Sequence, residues 1–443
     1  MQGKRREQRP IVMTEAVIES SSHDGRGVAR VDGKATFVHG ALPGERVRLR
    51  VVKRHRNFDE AETEAVLAPA ADRVEPACER FGICGGCSLQ HLAPAAQIEA
   101  KQRALLDALR HIGHLEPEQV FAPIVGASPW GYRRKARLGV KYVVKKAKVL
   151  VGFRERSSSF VTDTERCPVL HPRVGESLGA LANVIGSLDL RDRVPQVELA
   201  MGDETCILVF RVLAPPSAAD AERLRTFGAA HGVEIYLQEG GLDSIRPLDP
   251  PGVTLTYALP DFGVELAFRP GDFTQVNFDV NRRMVARAVD LLRPQAHERV
   301  LDLFCGLGNF TLPLTRRAAE VVGVEGEAGL VARARANAAH NGIGNVRFFT
   351  ADLYGALDGE PWLGERFAAA VLDPPRTGAF EVLGLLPRLG VERLVYVSCY
   401  PGTLARDAAE LVQRHGYRLV GTGAMDMFPH TAHVESLAVF ERR

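Results

Sequence analysis

The chain has 443 residues, 46% of them hydrophobic, and nearly cancelling charge, with 56 Lys and Arg against 54 Asp and Glu; that length permits two or three domains with substantial cores. No segment approaches the length and apolarity needed to span a bilayer, and the basic start, residues 1–10, lacks an apolar secretory stretch, so a cytoplasmic protein with no membrane partner is expected. Seven cysteines, an odd number, argue against a disulfide framework and for metal or catalytic roles.

Charge is uneven along the chain. Residues 1–60 hold thirteen Lys and Arg against eight Asp and Glu, and residues 130–160 hold ten against one, so the rest is net acidic. The positive field of the front suits a polyanion, although charge runs are often merely solvated. In chain order, short β-type stretches at 14–18, 27–31, 35–38 and 47–52, separated by Gly, Asp and Pro turns, give the pattern of a small β-barrel over residues 10–69. Asp24-Gly25-Arg26-Gly27-Val28-Ala29-Arg30 and Val38-His39-Gly40-Ala41-Leu42-Pro43-Gly44-Glu45 resemble the TRAM domain, an OB-like module attached to RNA-modifying enzymes. A lone barrel could equally mediate protein contacts, but Arg46, Arg48, Arg50, Lys53, Arg54 and Arg56 favour RNA.

An Ala/Pro linker at 67–77 leads to Cys78, Cys84 and Cys87, with Gly85 and Gly86 between the last pair. Three thiolates this close can converge on one centre, and such a centre usually wants a fourth ligand, for which Cys167 before Pro168 is the candidate. Spacing does not separate iron-sulfur from zinc. Helical pattern at 95–112 is followed at 130–160 by alternating basic and apolar residues, read as antiparallel strands with one cationic, phosphate-tracking face. Mixed helix and strand continue through 174–214 and 218–237, with Cys206 a core residue, and Pro247 to Gly252 marks another linker. The expected central α+β domain, 70–265, thus carries the cysteine metal site.

From residue 266 the pattern changes. After Gln275-Val276-Asn277 comes a helix at 281–292, and then seven strand candidates at 299–304, 321–325, 346–352, 368–373, 393–399, 417–425 and 435–441. With an alanine-rich helix at 328–340, the alternation predicts a parallel sheet covered by helices. The last two strands lack a helix between them and are expected to pair antiparallel at the sheet edge. The first strand runs into Gly306 and Gly308, which permit a tight turn and close backbone approach to a ligand. Glu325, about 20 residues on, stands where an acidic side chain commonly accepts ribose hydroxyls. This spacing differs from the dinucleotide fingerprint and resembles the Asp-x-Phe-x-Gly-x-Gly turn of S-adenosylmethionine-dependent methyltransferases.

Ligands in open α/β sheets bind at the carboxyl ends of the strands, which makes Asn309, Glu325, Asp352, Asp373 and Cys399 the suspects. Two prolines after Asp373 hold its loop rigidly; Asp-Pro-Pro-Arg departs from the Asn-Pro-Pro-Tyr loop of amino-group methylases. Cys399, at a strand end before Tyr400-Pro401-Gly402, could be an inert hydrophobe, but a thiolate there solves a particular problem. Uracil C5 is a poor nucleophile, and adding sulfur to C6 turns the ring into an enolate whose C5 can attack a methyl sulfonium. The C5 proton must then leave, for which Glu435 is the candidate base and His433 its local rival.

Gln275-Val276-Asn277, Asp302-Leu303-Phe304-Cys305-Gly306-Leu307-Gly308-Asn309, Asp373-Pro374-Pro375-Arg376, Ser398-Cys399 and His433-Val434-Glu435-Ser436 together resemble the RNA uracil-5 methyltransferases over nearly the whole chain. The TRAM-like start and the four cysteines point to the subgroup acting on 23S rRNA. The resemblance implies an α/β Rossmann-like S-adenosylmethionine-dependent methyltransferase domain at 266–443, with Cys399 as nucleophile and Glu435 as C5-proton base. It further implies that Gln275, Phe304, Asn309, Glu325, Asp352 and Asp373 line the cofactor and target pocket. Cys78, Cys84, Cys87 and Cys167 would hold a 4Fe-4S cluster of structural role, with zinc as the alternative. Tyr400 departs from the Asn expected after the cysteine, and Cys305 is read as packing beneath the cofactor. A monomer acting on 23S rRNA is expected; the rivals are tRNA uracil methylation and a non-catalytic RNA-binding factor.

Overall fold

The computed structural model describes residues 13–443, so the basic start at 1–10 and the first residues of the expected barrel lie outside the described residues. Two packing units are present. The first takes the chain as far as Gln97, with Glu155–Ser158 and His430–Ala432; the second holds Ile98–Arg154, Ser159–Pro429 and His433–Arg443.

In the first unit six strands form one sheet in the order Met13–Val17, Arg46–Arg54, Phe58–Ala68, Lys34–His39, Gly27–Val31 and Ser20–Ser21. Period-two alternation explains the burial: Val47 and Leu49 are fully buried while Arg46 and Arg48 between them are exposed. Ile18, Ala29, Val38 and Ala61 complete this small core. The eleven-residue strand Phe58–Ala68 was not anticipated, because its Asp and Glu residues hide the alternation. Those acids also pair with the basic strand, Arg50 bonding Glu62 at 2.5 Å and also Glu64, so part of the basic charge that favoured RNA there is neutralised internally.

The second unit contains a six-stranded mixed sheet in which Lys135–Val143 and Lys148–Gly152 pair antiparallel, as the basic stretch suggested. Ala136, Leu138 and Val140 enter its core, whereas Arg137 and Lys141 stay exposed. Arg137 is held by Glu198 at 2.9 Å and Lys148 by Asp163 at 2.8 Å. A hairpin, Leu255–Leu259 with Val264–Phe268, packs Tyr257, Leu259, Leu266 and Phe268 against the larger sheet, so that core begins before residue 266.

The larger sheet carries all seven expected strands: β1 Arg299–Leu303, β2 Glu320–Glu325, β3 Val346–Thr350, β4 Ala369–Leu372, β5 Arg393–Ser398, β6 Tyr417–Met425 and β7 Glu435–Arg442. Its order is β3-β2-β1-β4-β5-β7-β6, with the short strand Gln119–Val120 added parallel to β6. β1 to β5 run parallel, and β7 lies antiparallel between β5 and β6. Neighbouring residues of each strand enter opposite cores. Val300, Val321, Val371, Val395 and Val439 join one cluster, and Leu301, Val322, Leu372, Tyr396 and Phe440 the other. A sheet buried on both faces needs near-continuous apolar strands, which is what the sequence shows. The helix Phe278–Leu292 covers one face. Asn277 caps it by accepting the Val280 N–H at 3.3 Å, and the apolar residues Val285, Ala288, Val289 and Leu292, recurring at helical spacing, form its buried stripe.

Candidate active site

The turn after β1 is built for close approach. Phe304, Gly306 and Gly308 all have positive φ, 65°, 55° and 93°; for Phe304 that is a strained conformation held by its surroundings. A Cβ placed on Gly306 would meet nothing within 4 Å, so the turn faces open space. Glu325, ending β2, braces this turn: its Oε2 accepts the Gly306 N–H at 3.1 Å and its Oε1 the Glu327 N–H at 3.0 Å. Each oxygen keeps a further lone pair, which fits a ribose hydroxyl. Asn309 is committed to a polar network, its Oδ1 accepting from Tyr257 and Asn281 at 3.0 Å each and its amide donating to Asn281 at 2.9 Å. Asp352 is exposed beyond β3 and its carboxylate accepts the Tyr354 N–H at 3.0 Å, while the Tyr354 ring stands 5.7 Å from that of Phe304. Gln275 is half-buried in the segment that Arg134 anchors through the Val276 carbonyl.

Beyond β5 the geometry is set by register. Ser398 pairs with Ser436 across the antiparallel β5–β7 ladder, so one step further Cys399 lies opposite Glu435. Because β7 runs against its neighbours, its first residue meets the carboxyl ends of β1 to β5. Asp373 reaches the same end, its N–H donating to the Leu303 carbonyl at 3.4 Å. Burial pushes Asp373 up to about 7, and burial with the Asp373 charge pushes Glu435 up to about 8. Burial, Glu435 and Asp373 raise the Cys399 thiol to about 11. Asp302, fully buried beneath the glycine turn and bonded by Thr311 at 2.5 Å, is raised by burial to about 8. Burial thus holds the acids at this end of the sheet short of full ionisation.

His433 is exposed and accepts a hydrogen bond from Arg376 at 2.8 Å through Nδ1, and partial burial and Arg376 hold it below its usual range. One residue the sequence did not suggest stands close: Lys101, buried, bonded to Asp426 at 2.6 Å and acting electrostatically on Glu435. Its only advance signal was a lysine within an otherwise amphipathic helix. Cys305 and Cys206 are both buried, as expected of core residues.

The four remaining cysteines are divided between the two units. Cys78, Cys84 and Cys87 sit half-buried in a turn-rich loop of the first, where Cys84 Sγ accepts the Gly86 N–H at 3.4 Å. Cys167, in the second, donates its N–H to the Gly175 carbonyl at 2.8 Å. Among the described residues no group of three or more His, Cys, Asp or Glu is placed to hold a metal ion. The loop satisfies its backbone by turns such as Phe81 N–H to the Cys78 carbonyl at 2.9 Å. Among the described residues, no helix is long and apolar enough to cross a membrane.

Comparison with known proteins covers nearly the whole chain. A family model described as tRNA (Uracil-5-)-methyltransferase matches residues 256–443, and a TRAM domain model matches residues 14–63. A 23S rRNA (uracil(1939)-C(5))-methyltransferase RlmD of Alkalilimnicola ehrlichii is 58% identical over 441 residues, 99% of both chains. The protein of the same description from Stenotrophomonas maltophilia is 56% identical over 425 residues, 95% of this chain and 96% of its own. The crystal structure of Pyrococcus abyssi tRNA (uracil-54, C5)-methyltransferase with S-adenosyl-L-homocysteine superposes with a TM-score of 0.74, covering 96% of this chain and 100% of that one. At 24% identity that likeness speaks for the fold.

Proposed function

The chain belongs to the RlmD family of 23S rRNA (uracil-C5)-methyltransferases, and from that premise we propose that it methylates uracil C5 in 23S rRNA, at the uridine its relatives' names number 1939, through a covalent adduct at Cys399. One observation carries the reading: the β5–β7 register sets a thiol opposite a buried carboxyl at the end of the sheet that also bears the glycine turn. S-adenosylmethionine, when bound, supplies a sulfonium-activated methyl group. Glu325 and the turn from Phe304 to Asn309 would hold it, with Gln275, Asp352 and Asp373 lining the pocket. The target base leaves its stack to reach the site. Cys399, as thiolate, adds its sulfur to C6, and C5 of the resulting enolate takes the methyl group, whose bond to the sulfonium sulfur breaks with the electron pair left on that sulfur. Glu435 then removes the C5 proton, the C5=C6 bond reforms and the C6–S bond breaks to return the thiolate. Between the two candidate bases, Glu435 is buried opposite the thiol, whereas His433 is exposed and its Nδ1 is occupied by Arg376.

The barrel-forming first unit and exposed Lys141, Lys145 and Lys146 would hold the surrounding RNA, the three-part division 10–69, 70–265 and 266–443 following those roles. The enzyme works in the cytoplasm as a monomer. Spacing of Cys78, Cys84, Cys87 and Cys167 also supports a structural 4Fe-4S cluster; acid-labile sulfide and a brown protein would establish it, and a colourless zinc protein would replace it. The activity is tested with 5-fluorouridine-substituted RNA, since fluorine cannot leave as a proton does. An SDS-stable adduct with an rRNA fragment that disappears in Cys399→Ala is expected. An adduct with tRNA alone would move the substrate, and no adduct with either RNA would leave an RNA-binding factor.

A further inference from the structure

Behind Glu435 the second unit buries a cation. Lys101, on the helix Pro94–Ala108, is 2% exposed, and its Nζ donates to Asp426 Oδ1 at 2.6 Å and to the Phe428 carbonyl at 2.9 Å. Lysine is almost never buried unless paired, and a buried pair is often no more stabilising than apolar residues of the same volume. Fold stability is therefore a poor reason for this pair. Its location is more informative. Asp426 directly follows β6, and residues 426–434 are the connection that delivers the chain to Glu435 at the start of β7. The end of β6 is held by Gln102, which accepts the Ala424 N–H at 2.7 Å, and the connection itself by the Ile124 carbonyl, which accepts the Asp426 N–H at 2.8 Å, and by Tyr132, which donates to the Pro429 carbonyl at 3.1 Å. Charged and titratable groups facing Glu435 come from three other elements: Asp373 and Arg376 after β4, Cys399 after β5, and Lys101 from the helix. Arg376 is exposed and therefore screened; Lys101 is fixed and dry.

We propose that Lys101 is a positioning residue for removal of the C5 proton: with Asp426 it fixes the connection that aims Glu435, and its buried ammonium, paired with Asp426 and shielded from solvent, favours that carboxyl in its charged form when the carboxylate is needed. In that step the Glu435 carboxylate takes the proton from C5, the C5–H pair becomes the C5=C6 bond, and the C6–S pair returns to Cys399 as thiolate. The inference rests on Glu435 being the base. Without Lys101 the carboxylate is harder to form and less well placed, so product release slows while sulfur addition and methyl transfer, which do not use Glu435, continue.

The test is single turnover on an rRNA fragment carrying tritium at uridine C5, with methyl transfer to the RNA-protein adduct and tritium release read separately. Lys101→Met is expected to slow tritium release about tenfold or more, with a methylated adduct accumulating and the release limb moving to higher pH. The double variant K101M/D426L, which removes both charges and keeps apolar volume, guards against misfolding and is expected to show the same slow release with an unchanged melting temperature. If K101M/D426L releases tritium at the wild-type rate and pH profile, the proposal is overturned. Glu435→Gln run alongside separates the two readings. A trapped E435Q adduct upholds the base, so that wild-type behaviour of K101M/D426L would count against Lys101 alone; normal release by E435Q would sink the base and the Lys101 inference together.

Discussion

Replacing Glu435 by Gln should stabilise the second unit at neutral and alkaline pH. The folded protein holds this carboxyl at about 8 against an ordinary 4.5, chiefly because it is buried. Below about pH 4.5 the group is protonated in both folded and unfolded chains and contributes nothing. As the pH rises from there to about 8, the unfolded chain gives up a proton that the folded chain keeps, so folding loses roughly 1.4 kcal/mol per unit, and the loss levels off above 8. The full shift corresponds to about 4 to 5 kcal/mol, a large share of the stability of an ordinary domain. Glutamine carries no charge at any pH and escapes this penalty. Urea unfolding of both proteins from about pH 5 to 9, followed by fluorescence of Trp130 and Trp362, which both lie in the second unit, measures the difference directly. The variant should gain on the wild type by several kcal/mol across that range, while losing the ability to resolve the adduct. A gap between the two that stays constant from pH 5 to 9 would show that Glu435 ionises freely and would refute the electrostatic account of the site.

The free Cys399 thiol should be sluggish toward iodoacetamide at pH 7, its labelling rising about tenfold per pH unit toward a midpoint near 11, as peptide mass spectrometry would show; a midpoint below 8 would contradict the crowding by Glu435 and Asp373. Replacing exposed Lys141, Lys145 and Lys146 with Gln should weaken rRNA binding similarly across sequences and flatten the plot of log affinity against log salt by roughly 2 to 3, while unchanged salt dependence would remove that face from the RNA path.

Much of the catalytic sheet was legible because burial on both faces demands continuous apolar strands: all seven appear, and β6 and the helix Ala328–His340 keep the expected bounds. The hairpin Leu255–Leu259 with Val264–Phe268 was missed although its alternation of Leu255, Tyr257 and Leu259 was readable, because it follows a proline-rich linker that suggested a break. Phe58–Ala68 was missed for the opposite reason, its polar face being acidic rather than neutral. Site residues at strand ends could be named from position alone. Lys101 could not, since it comes to Glu435 from a helix more than 300 residues earlier, and a lysine within an amphipathic helix does not reveal that its partner is Asp426. Thiol spacing suggested a shared centre, but spacing along a chain does not fix the direction of each side chain, so the sequence alone could not place it.

The insertion of β7 between β5 and β6 has a consequence for how the enzyme is made. Until the segment from Glu435 onward is available, β5 and β6 lack their common neighbour and the thiol has no carboxyl across from it. During synthesis the Cys399 thiol therefore exists for a time without the carboxyl to which the proposed mechanism gives the last proton transfer.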